Sequence, residues 1–179
     1  MKAYSTSIVD CYVIVTEDFS DMRGSFKKLY SRTFFNKIIQ GFSVKESYVN
    51  RSKKDTIRGM HFQKPPSEHE KIVTCVKGKI SDVFLDIRLQ SSTYGKYESI
   101  ELDSEDNKLL FLPKGIAHGF KSLEDHTEVL YMVGSEYNPE DDTGIRYDTF
   151  GFDWDCPTPI VSERDLNFKS FYEYNSPFL

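Results

Sequence analysis

Short runs of apolar, β-branched and aromatic residues recur along the chain, and each run is closed by residues that favour turns. Glycine, proline and asparagine are frequent in the connecting segments, where they supply the fixed or positive φ that a reversing chain needs. This pattern of short apolar runs separated by turns is typical of a β-sandwich or a β-barrel. The predicted strands cover residues 12–16, 72–76, 80–87, 108–112 and 127–133.

Three segments stand apart from these predicted strands. Between residues 33 and 41 the apolar side chains recur at the spacing of one helix face, and Gly41 is a suitable C-terminal stop. Residues 48–54 are polar and basic, which predicts either an edge strand that faces an anion or a solvated segment. The tail, residues 167–179, carries five aromatic side chains. It is too apolar to remain in water, so we expect it to dock on the barrel or on a second subunit.

Length and composition indicate a globular chain that forms one domain, residues 1–179. Hydrophobic residues make up 39% and charged residues 28%, which excludes a disordered polyelectrolyte, and the 14 Phe and 11 Tyr favour a β-rich architecture. The net charge of −5 gives no general attraction to nucleic acid, so we expect no nucleic-acid partner.

Cellular location follows from the termini and the cysteines. The N-terminal segment lacks the apolar core of a secretory signal, and no run is long enough to span a bilayer, so we expect no membrane association. The three cysteines are far apart, odd in number and without metal-type spacing. We therefore predict a reducing, cytoplasmic location.

The most informative motif is residues 58–63, RGMHFQ, which is followed by Lys71 at the start of an apolar strand. Arg58 offers a planar set of donors for a diphosphate, His61 can accept a proton near neutral pH, and Lys71 can stabilise a developing oxyanion. Together these groups suit carbanion chemistry. Taken singly, each has an ordinary explanation, since a histidine in a strand is usually structural and Arg or Lys usually coats a surface.

Three further positions carry groups suited to the same chemistry. His118 lies just past a turn in residues 113–120, where two glycines allow close approach to a ligand. Tyr131 lies in an apolar strand, where its hydroxyl needs a partner and its phenol can act as a proton donor. Asp165, in residues 162–165, supplies a carboxylate that could orient an imidazole, although a solvated charge cluster is the default interpretation of that segment.

These motifs occur together, in one order and at compatible distances, in a pattern that resembles the dTDP-4-dehydrorhamnose 3,5-epimerase family over nearly the whole chain. Any one of the motifs alone is a weak signal, and the combination is specific. The motifs that carry the resemblance are Arg23-Gly24, Lys71 and residues 58–63, 82–83, 86–88, 92–95, 113–120 and 162–165.

The resemblance implies an all-β fold, a cupin-type jelly-roll barrel with a few short helices. It also implies a homodimer in which an N-terminal strand is exchanged or shared, and catalysis without a metal or a redox cofactor. Carried over by position, His61 is the base and Asp165 its partner in a dyad. Lys71 is the stabiliser of the enolate, and Tyr131 is the acid on the opposite face of the sugar.

The resemblance further implies a binding site for a nucleotide-diphosphate sugar. Arg23 and Arg58 hold the diphosphate, and His118 holds the sugar. Tyr137 stacks on the base, and Phe26 also lines the site.

The positions that contact the nucleotide in the family depart from its pattern here. Lys28 stands where an acid is usual, and Glu46, Ser47 and Tyr48 stand where a Gln-Asp-Asn-like run is expected. Exchanging an acid for a lysine and an amide for an acid changes the donors and acceptors that face the base. A CDP- or GDP-linked sugar is therefore a rival to a dTDP-linked one.

The implied reaction is the epimerisation of a 4-keto-6-deoxy sugar in deoxysugar and surface (O-antigen) polysaccharide biosynthesis. Removal of the proton at C3 or C5 leaves a carbanion that delocalises onto the C4 oxygen as an enolate, and inversion needs a proton returned to the other face. Inversion at C3, at C5 or at both requires the same base and the same enolate site, so all three outcomes stay open.

Two other classes of function compete with epimerisation. A metal cupin needs a cluster of His and Glu ligands, but no second histidine lies two residues after His61, and His69 and His126 lie in polar, loop-like segments. A catalytically silent sugar-nucleotide binder has no need of both an acid and a base, which argues against that class.

Overall fold

The computed structural model describes residues 1–39 and 41–179, and Gln40, which belongs to the predicted helix over 33–41, lies outside the described residues. Within these ranges there are thirteen strands, two short α-helices and one 3₁₀ turn. The strands are β1 (Lys2–Ser5), β2 (Tyr12–Val15), β3 (Asp18–Asp21), β4 (Gly24–Lys27), β5 (Glu46–Ser52), β6 (Ile57–Gln63), β7 (Lys71–Lys77), β8 (Lys79–Asp86), β9 (Tyr97–Asp103), β10 (Lys108–Leu112), β11 (Ile116–Ser122), β12 (Thr127–Val133) and β13 (Asp142–Gly144). The helices are α1 (Arg32–Ile38) and α2 (Glu163–Leu166), and the 3₁₀ turn is Phe171–Glu173.

The strands form two antiparallel sheets and a separate hairpin. The first sheet has the order β1-β2-β10-β7-β12-β5, and the second has the order β13-β6-β11-β8-β9. The strands β3 and β4 pair with each other in a two-stranded sheet. The fold is therefore all-β, and it is the cupin-type jelly roll that the resemblance implies.

The barrel interior lies between the inner faces of the two sheets. Because side chains alternate along a strand, Val73 and Tyr131 face inward from the first sheet, while Phe84 and Phe120 face inward from the second. All four belong to one buried cluster. Burying an aliphatic or aromatic side chain of this size contributes about 1.5–3 kcal/mol, so this cluster holds the two sheets together.

Each sheet has its outer face covered by a different part of the chain. The helix α1 places Phe35 in a buried cluster with Ile72 and Phe111 of the first sheet. The tail covers the second sheet, where the ring of Phe178 meets that of Phe62 edge-on, with 5.9 Å between the centroids. The prediction that the aromatic tail docks on the barrel is confirmed.

Most of the element predictions agree with the structure. The strands β10 and β12 have the predicted bounds, 108–112 and 127–133, and β5 is an edge strand of the first sheet. The predicted helix extends too far, since α1 begins at Arg32 and Ile39 already has extended dihedral angles. Gly41 then adopts a φ of +87°, which a glycine takes without strain.

Two glycines bring β6 and β11 into contact through their backbones. A Cβ added to Gly59 would lie 2.6 Å from the Cα of Gly119, and one added to Gly119 would lie 2.7 Å from the carbonyl oxygen of Arg58. No side chain fits at either position. The close approach leaves His61 directly opposite His118 in the strand register, on the inner face of the sheet.

The cysteines Cys11, Cys75 and Cys156 are free thiols. Burial raises the pKa of Cys11 well above its ordinary value and that of Cys75 to about 11, so neither is poised for thiolate chemistry. In the part of the chain that the structure describes, no helix has the length and apolarity needed to cross a membrane.

Candidate active site

A cavity of about 350 Å³ opens between the two sheets. Its volume lies at the lower end of the range of sites that hold small ligands, roughly 300–1,000 Å³. Alternate residues of β5 line it, together with residues near both ends of β6 and the first residue of β7. The residues that line the cavity are Glu46, Tyr48, Asn50, Arg58, His61, Phe62, Gln63, His69, Lys71, Val133, Tyr137, Asp142 and Arg164.

A histidine–aspartate dyad forms one wall of this cavity. The Nε2 atom of His61 lies 2.9 Å from Oδ1 of Asp165. Asp165 lies 104 residues later in the sequence, on α2. Asp165 is buried and also accepts the backbone N–H of Gly59 at 3.2 Å. Burial raises the pKa of this carboxyl, but the hydrogen bond and charge of His61 and the Gly59 N–H outweigh it, and the net shift is downward. Asp165 is therefore a carboxylate that accepts from the imidazole.

The dyad determines which nitrogen of His61 meets a ligand. A carboxylate accepts a hydrogen bond from the protonated Nε2, so Nδ1 carries the free lone pair of the neutral ring. The ring of Phe168 packs edge-on against the imidazole, with 5.8 Å between the centroids. The side chain of His61 is 30% exposed, so the base is supported on two sides and still reaches the cavity.

Lys71 lies at the start of β7, on the opposite sheet. Its Nζ donates to the carbonyl oxygen of His61 at 2.8 Å, which ties the two predicted catalytic residues together. Burial lowers the pKa of this ammonium to about 8, while the charges of Asp142 and Asp82 oppose the shift. At neutral pH the group is a cation in a poorly solvated site, where its field on a developing negative charge is strong.

Tyr131 lies on β12, directly opposite Tyr48 of β5 in the strand register. The two rings stack, with 4.9 Å between their centroids and 15° between their planes. Tyr131 is only 5% exposed and is not among the residues that line the cavity, whereas Tyr48 is 38% exposed and lines it. The role of Tyr131 as the acid therefore stays a prediction. Burial and the charge of Asp82 hold the pKa of Tyr131 well above its ordinary value, so its phenol keeps its proton.

His118 occupies a second histidine–aspartate pair behind the cavity. Its Nε2 lies 3.0 and 2.9 Å from the two carboxylate oxygens of Asp82, and both residues are buried. The His118 ring meets that of Tyr131 edge-on at 5.8 Å. Since His118 is 3% exposed and does not line the cavity, its role in holding the sugar stays a prediction.

The cavity is also lined by residues predicted to hold the nucleotide. The backbone N–H of Tyr137 donates to Oε2 of Glu46 at 2.8 Å, and the Tyr137 side chain is 61% exposed. Arg58 donates from Nε to Oγ of Ser52 at 3.0 Å and lines the same cavity. Glu46, Tyr48, Arg58 and Tyr137 are therefore brought together.

Three predicted binding residues are not brought to this cavity. Arg23 and Phe26 lie on the β3–β4 hairpin and Lys28 follows it, and none of the three lines the cavity of its own chain. Arg23 pairs with Asp21 at 2.5 Å, and Phe26 is 60% exposed. Their roles in binding stay predictions.

Several residues at the cavity were not among the predicted ones. Asp142 and Arg164 form an ion pair at 2.6 Å that faces the cavity, and Asn50, Gln63 and His69 also line it. Gln63 and Arg164 lie inside the quoted motifs, but their residue types alone did not indicate contact with a ligand. Among the described residues, no group of three or more His, Cys, Asp or Glu side chains is placed to hold a metal ion.

The sequence and the fold resemble those of known proteins. The family model described as dTDP-4-dehydrorhamnose 3,5-epimerase matches residues 5–173. A relative of that name from Shigella flexneri is 32% identical over 177 residues, covering 97% of this chain and 97% of the relative.

Two solved structures extend the comparison. A 3,5-epimerase from Legionella pneumophila, in complex with dTDP-4-keto-L-rhamnose, has a TM-score of 0.94 at 26% identity and covers 99% of this chain and 98% of that one. A 3'-monoepimerase from Streptomyces bikiniensis, in complex with dTDP-quinovose, has a TM-score of 0.86 at 28% identity, covering 92% of this chain and 85% of that one. Because the family model spans almost all of the sequence and the fold agrees over the same length, the chain belongs to the dTDP-4-dehydrorhamnose 3,5-epimerase family of isomerases.

Proposed function

We propose that this protein inverts C3, C5 or both of a dTDP-linked 4-keto-6-deoxy sugar through an enolate. One observation carries the proposal: an imidazole in a carboxylate dyad projects from one sheet, while an ammonium group and a phenol project from the other. Both sheets and the C-terminal segment contribute to this arrangement, which supports residues 1–179 acting as one catalytic domain.

The first step is removal of a proton next to the ketone. Nδ1 of His61 takes the proton from C3 or C5, and Asp165 stabilises the imidazolium that forms. Electrons from the broken C–H bond move onto the C4 oxygen, which becomes an enolate. Lys71, a cation fixed before the reaction begins, stabilises that oxygen by about 3 kcal/mol, the size typical of one oxyanion donor.

The second step returns a proton to the other face of the ring. Tyr131 donates its phenolic proton to the enolate carbon, and the C4 ketone forms again. Its high pKa suits this role, because the phenol stays protonated until a strongly basic carbon is presented to it. Tyr48, stacked on Tyr131, contacts the sugar and holds the acid in one orientation.

The diphosphate and the base contact cavity residues outside the catalytic set. Arg58 binds the diphosphate, and the exposed ring of Tyr137 stacks on the base beside the carboxylate of Glu46. A dTDP-linked substrate is supported by the two solved relatives, both of which are complexes with dTDP sugars.

A second candidate is single-centre inversion, at C5 or C3, of a CDP- or GDP-linked 4-keto sugar. Glu46 favours it, because a carboxylate only accepts hydrogen bonds and cytosine and guanine both present exocyclic amine donors. Calorimetric titration with dTDP, CDP and GDP separates the two candidates, and tighter binding of CDP or GDP favours the second.

We further propose that the enzyme is a homodimer. Among the described residues, the strands β3 and β4 pair only with each other, and the hairpin exposes Phe19, Met22 and Phe26, an apolar surface that a second copy would cover. In such a dimer the hairpin brings Arg23, Phe26 and Lys28 to the partner's cavity. Analytical ultracentrifugation tests this: a dimer is expected, and a monomer at micromolar concentration contradicts it.

We place the enzyme in the cytoplasm, in deoxysugar biosynthesis for surface polysaccharide, which three free thiols support. The function is tested by proton NMR in deuterium oxide with the dTDP-linked 4-keto-6-deoxy sugar derived from glucose. We expect deuterium at the inverted carbon or carbons and a product of changed configuration. An unchanged substrate contradicts the proposal, and label at one carbon alone identifies a single-centre enzyme.

A further inference from the structure

Tyr131 is enclosed on three sides by its neighbours. In the strand register it lies directly opposite Val73 of β7 on one side and Tyr48 of β5 on the other, so the three side chains form a row on the inner face of the first sheet. The ring of His118 meets that of Tyr131 edge-on from the second sheet, with 5.8 Å between the centroids. Sideways movement of the phenol along the sheet is therefore blocked.

Tyr48 closes this enclosure on the side of the cavity. Its ring stacks on that of Tyr131, with 4.9 Å between the centroids and 15° between the planes. Of these three described neighbours, Tyr48 alone lines the cavity, while Val73 and His118 are almost fully buried. A substrate in the cavity therefore contacts the Tyr48 ring, and the phenol of Tyr131 reaches that substrate past the edge of this ring.

The closing ring is a departure of this chain from the family pattern. Tyr48 takes the last position of the run Glu46-Ser47-Tyr48, where a Gln-Asp-Asn-like run is expected. A short amide side chain has no ring to stack on a phenol, so it would leave this side of Tyr131 open. No further strand among the described residues covers Tyr48 from outside, because β5 is the edge strand of its sheet. The stack with Tyr48 alone thus closes the enclosure at this edge.

An acid that is fixed in place restricts the reaction at the sugar. C3 and C5 lie on either side of C4, and inversion at either carbon requires the phenol to lie over that carbon. With the C4 oxygen held by Lys71, the two carbons are separated by two C–C bonds, whereas a misplacement of about 1 Å can already cost roughly 10²-fold in rate. A phenol that cannot move sideways therefore serves one of the two carbons.

We infer that Tyr48 is a specificity-determining residue, which fixes Tyr131 over one carbon and makes this enzyme a single-centre epimerase. The inference rests on the proposed function, since it takes Tyr131 as the acid and Lys71 as the group that holds the C4 oxygen. It assigns the choice among inversion at C3, at C5 or at both to one aromatic ring. Because Tyr48 acts through Tyr131 in this choice, it is here a positioning residue.

The ratio of the two inversion rates tests this role. Each protein is incubated with the dTDP-linked 4-keto-6-deoxy sugar derived from glucose, and the products are then reduced at C4. The resulting 6-deoxyhexoses are identified against standards that differ in configuration at C3 and C5. Tyr48→Asn removes the ring, and Tyr48→Phe keeps it as the matched control. Loss of a merely structural ring would lower both rates together and leave their ratio unchanged.

We expect wild-type protein and Tyr48→Phe to invert one carbon at least about 10²-fold faster than the other, and Tyr48→Asn to bring this ratio below about tenfold. A ratio that stays above tenfold in Tyr48→Asn overturns the inference. A ratio that falls equally in Tyr48→Phe also overturns it, because the hydroxyl and not the ring then decides the outcome. Should Tyr48→Asn fail to fold, Tyr48→Leu removes the ring and keeps an apolar side chain on the strand.

Two further outcomes separate this inference from the proposed function. Wild-type protein that inverts both carbons at similar rates overturns the inference and leaves the proposed function intact. A folded variant without the ring that inverts neither carbon likewise overturns only the inference, because the ring is then needed for turnover itself. Wild-type protein that neither inverts nor exchanges a proton at either carbon overturns the proposed function, and the inference with it.

Discussion

Two histidine–aspartate pairs lie side by side in this barrel. His61 and His118 are direct neighbours across β6 and β11, and each ring nitrogen Nε2 lies 2.9 Å from a carboxylate oxygen. The pairs differ in burial, because the side chain of His61 is 30% exposed and that of His118 is 3% exposed. They differ also in electrostatics, since the pKa of Asp165 is lowered while burial raises that of Asp82.

The comparison teaches that the same two side chains acquire different roles from their surroundings. The partly exposed imidazole of His61 lines the cavity, as a catalytic base that takes a proton from a ligand must. The enclosed pair does not line the cavity, and its imidazole packs edge-on against the Tyr131 ring.

The largest expected difference is between asparagine substitutions at the two histidines. His61→Asn removes the base and should lower kcat by about 10²–10⁴-fold, with a loss of about 1–2 kcal/mol of stability, because buried Asp165 loses the imidazole but keeps the Gly59 N–H. His118→Asn should lower kcat less than about tenfold but reduce the free energy of unfolding by about 3 kcal/mol, because Asp82 loses its partner. Steady-state kinetics and urea unfolding measure the two effects, and equal losses of kcat would remove the distinction.

The next effect concerns the two stacked phenols. Tyr131→Phe should lower the rate of inversion by about 10²–10³-fold, because no donor remains on the second face. Tyr48→Phe keeps the stacked ring and is the matched control, for which we expect less than about a fivefold loss. If the Tyr48 variant loses more activity than the Tyr131 variant, Tyr48 is the acid.

The pH dependence of the reaction reports on Lys71. Because its pKa is about 8, the cation is lost as the pH rises through that value, and kcat/KM should fall about tenfold per pH unit above it. In Lys71→Arg the cation persists, so this alkaline fall should disappear below about pH 10, even if the rate is lower throughout. An alkaline fall that stays near pH 8 in the variant would assign it to another group.

The smallest effects are on stability and have opposite pH dependence. The lowered pKa of Asp165 means that its contribution to stability is present above the unfolded value of about 3.9 and is lost as the pH falls through the folded one. The raised pKa of Asp82 means that its charge costs stability as the pH rises through the folded value.

Asparagine variants of the two aspartates test whether each carboxylate charge stabilises or destabilises the folded protein. At pH 7 Asp165→Asn should lower the free energy of unfolding by about 1–2 kcal/mol, and Asp82→Asn should leave it unchanged or raise it by about 1 kcal/mol. Both differences should shrink as the pH is lowered from 5 towards 3. Thermal unfolding across this range, with wild-type protein as the reference, measures them.

Local patterns predicted strands whose residues form a continuous apolar run, but they missed β11, which is buried along its length and whose apolar run is interrupted by His118, Gly119 and Lys121. The strands β10 and β12 are runs of apolar residues, so their bounds could be predicted from the sequence. The hairpin strands β3 and β4 are short and exposed on both faces, so no periodicity marks them. The polar β13 was missed for a related reason, since its three residues are placed by pairing with β6.

The site was predictable only where one motif supplies a recognisable set of groups. His61 and Lys71 belong to such a set, but Asp165 was assigned to His61 through family resemblance, because 104 residues separate them. The partner of His118 is Asp82, which sheet register supplies and no local pattern indicates. The stacking of Tyr48 on Tyr131 likewise follows from the pairing register of β5 and β12, which no local sequence pattern indicates.

The central claim is that His61 and Tyr131 act on opposite faces of one sugar ring. Its most direct test is proton NMR of Tyr131→Phe with a 4-keto sugar nucleotide in deuterium oxide. The account predicts that deuterium enters at C3 or C5 with the original configuration retained, because the base still removes and returns protons on its own face. Inversion at the wild-type rate, or a complete absence of exchange, would contradict it.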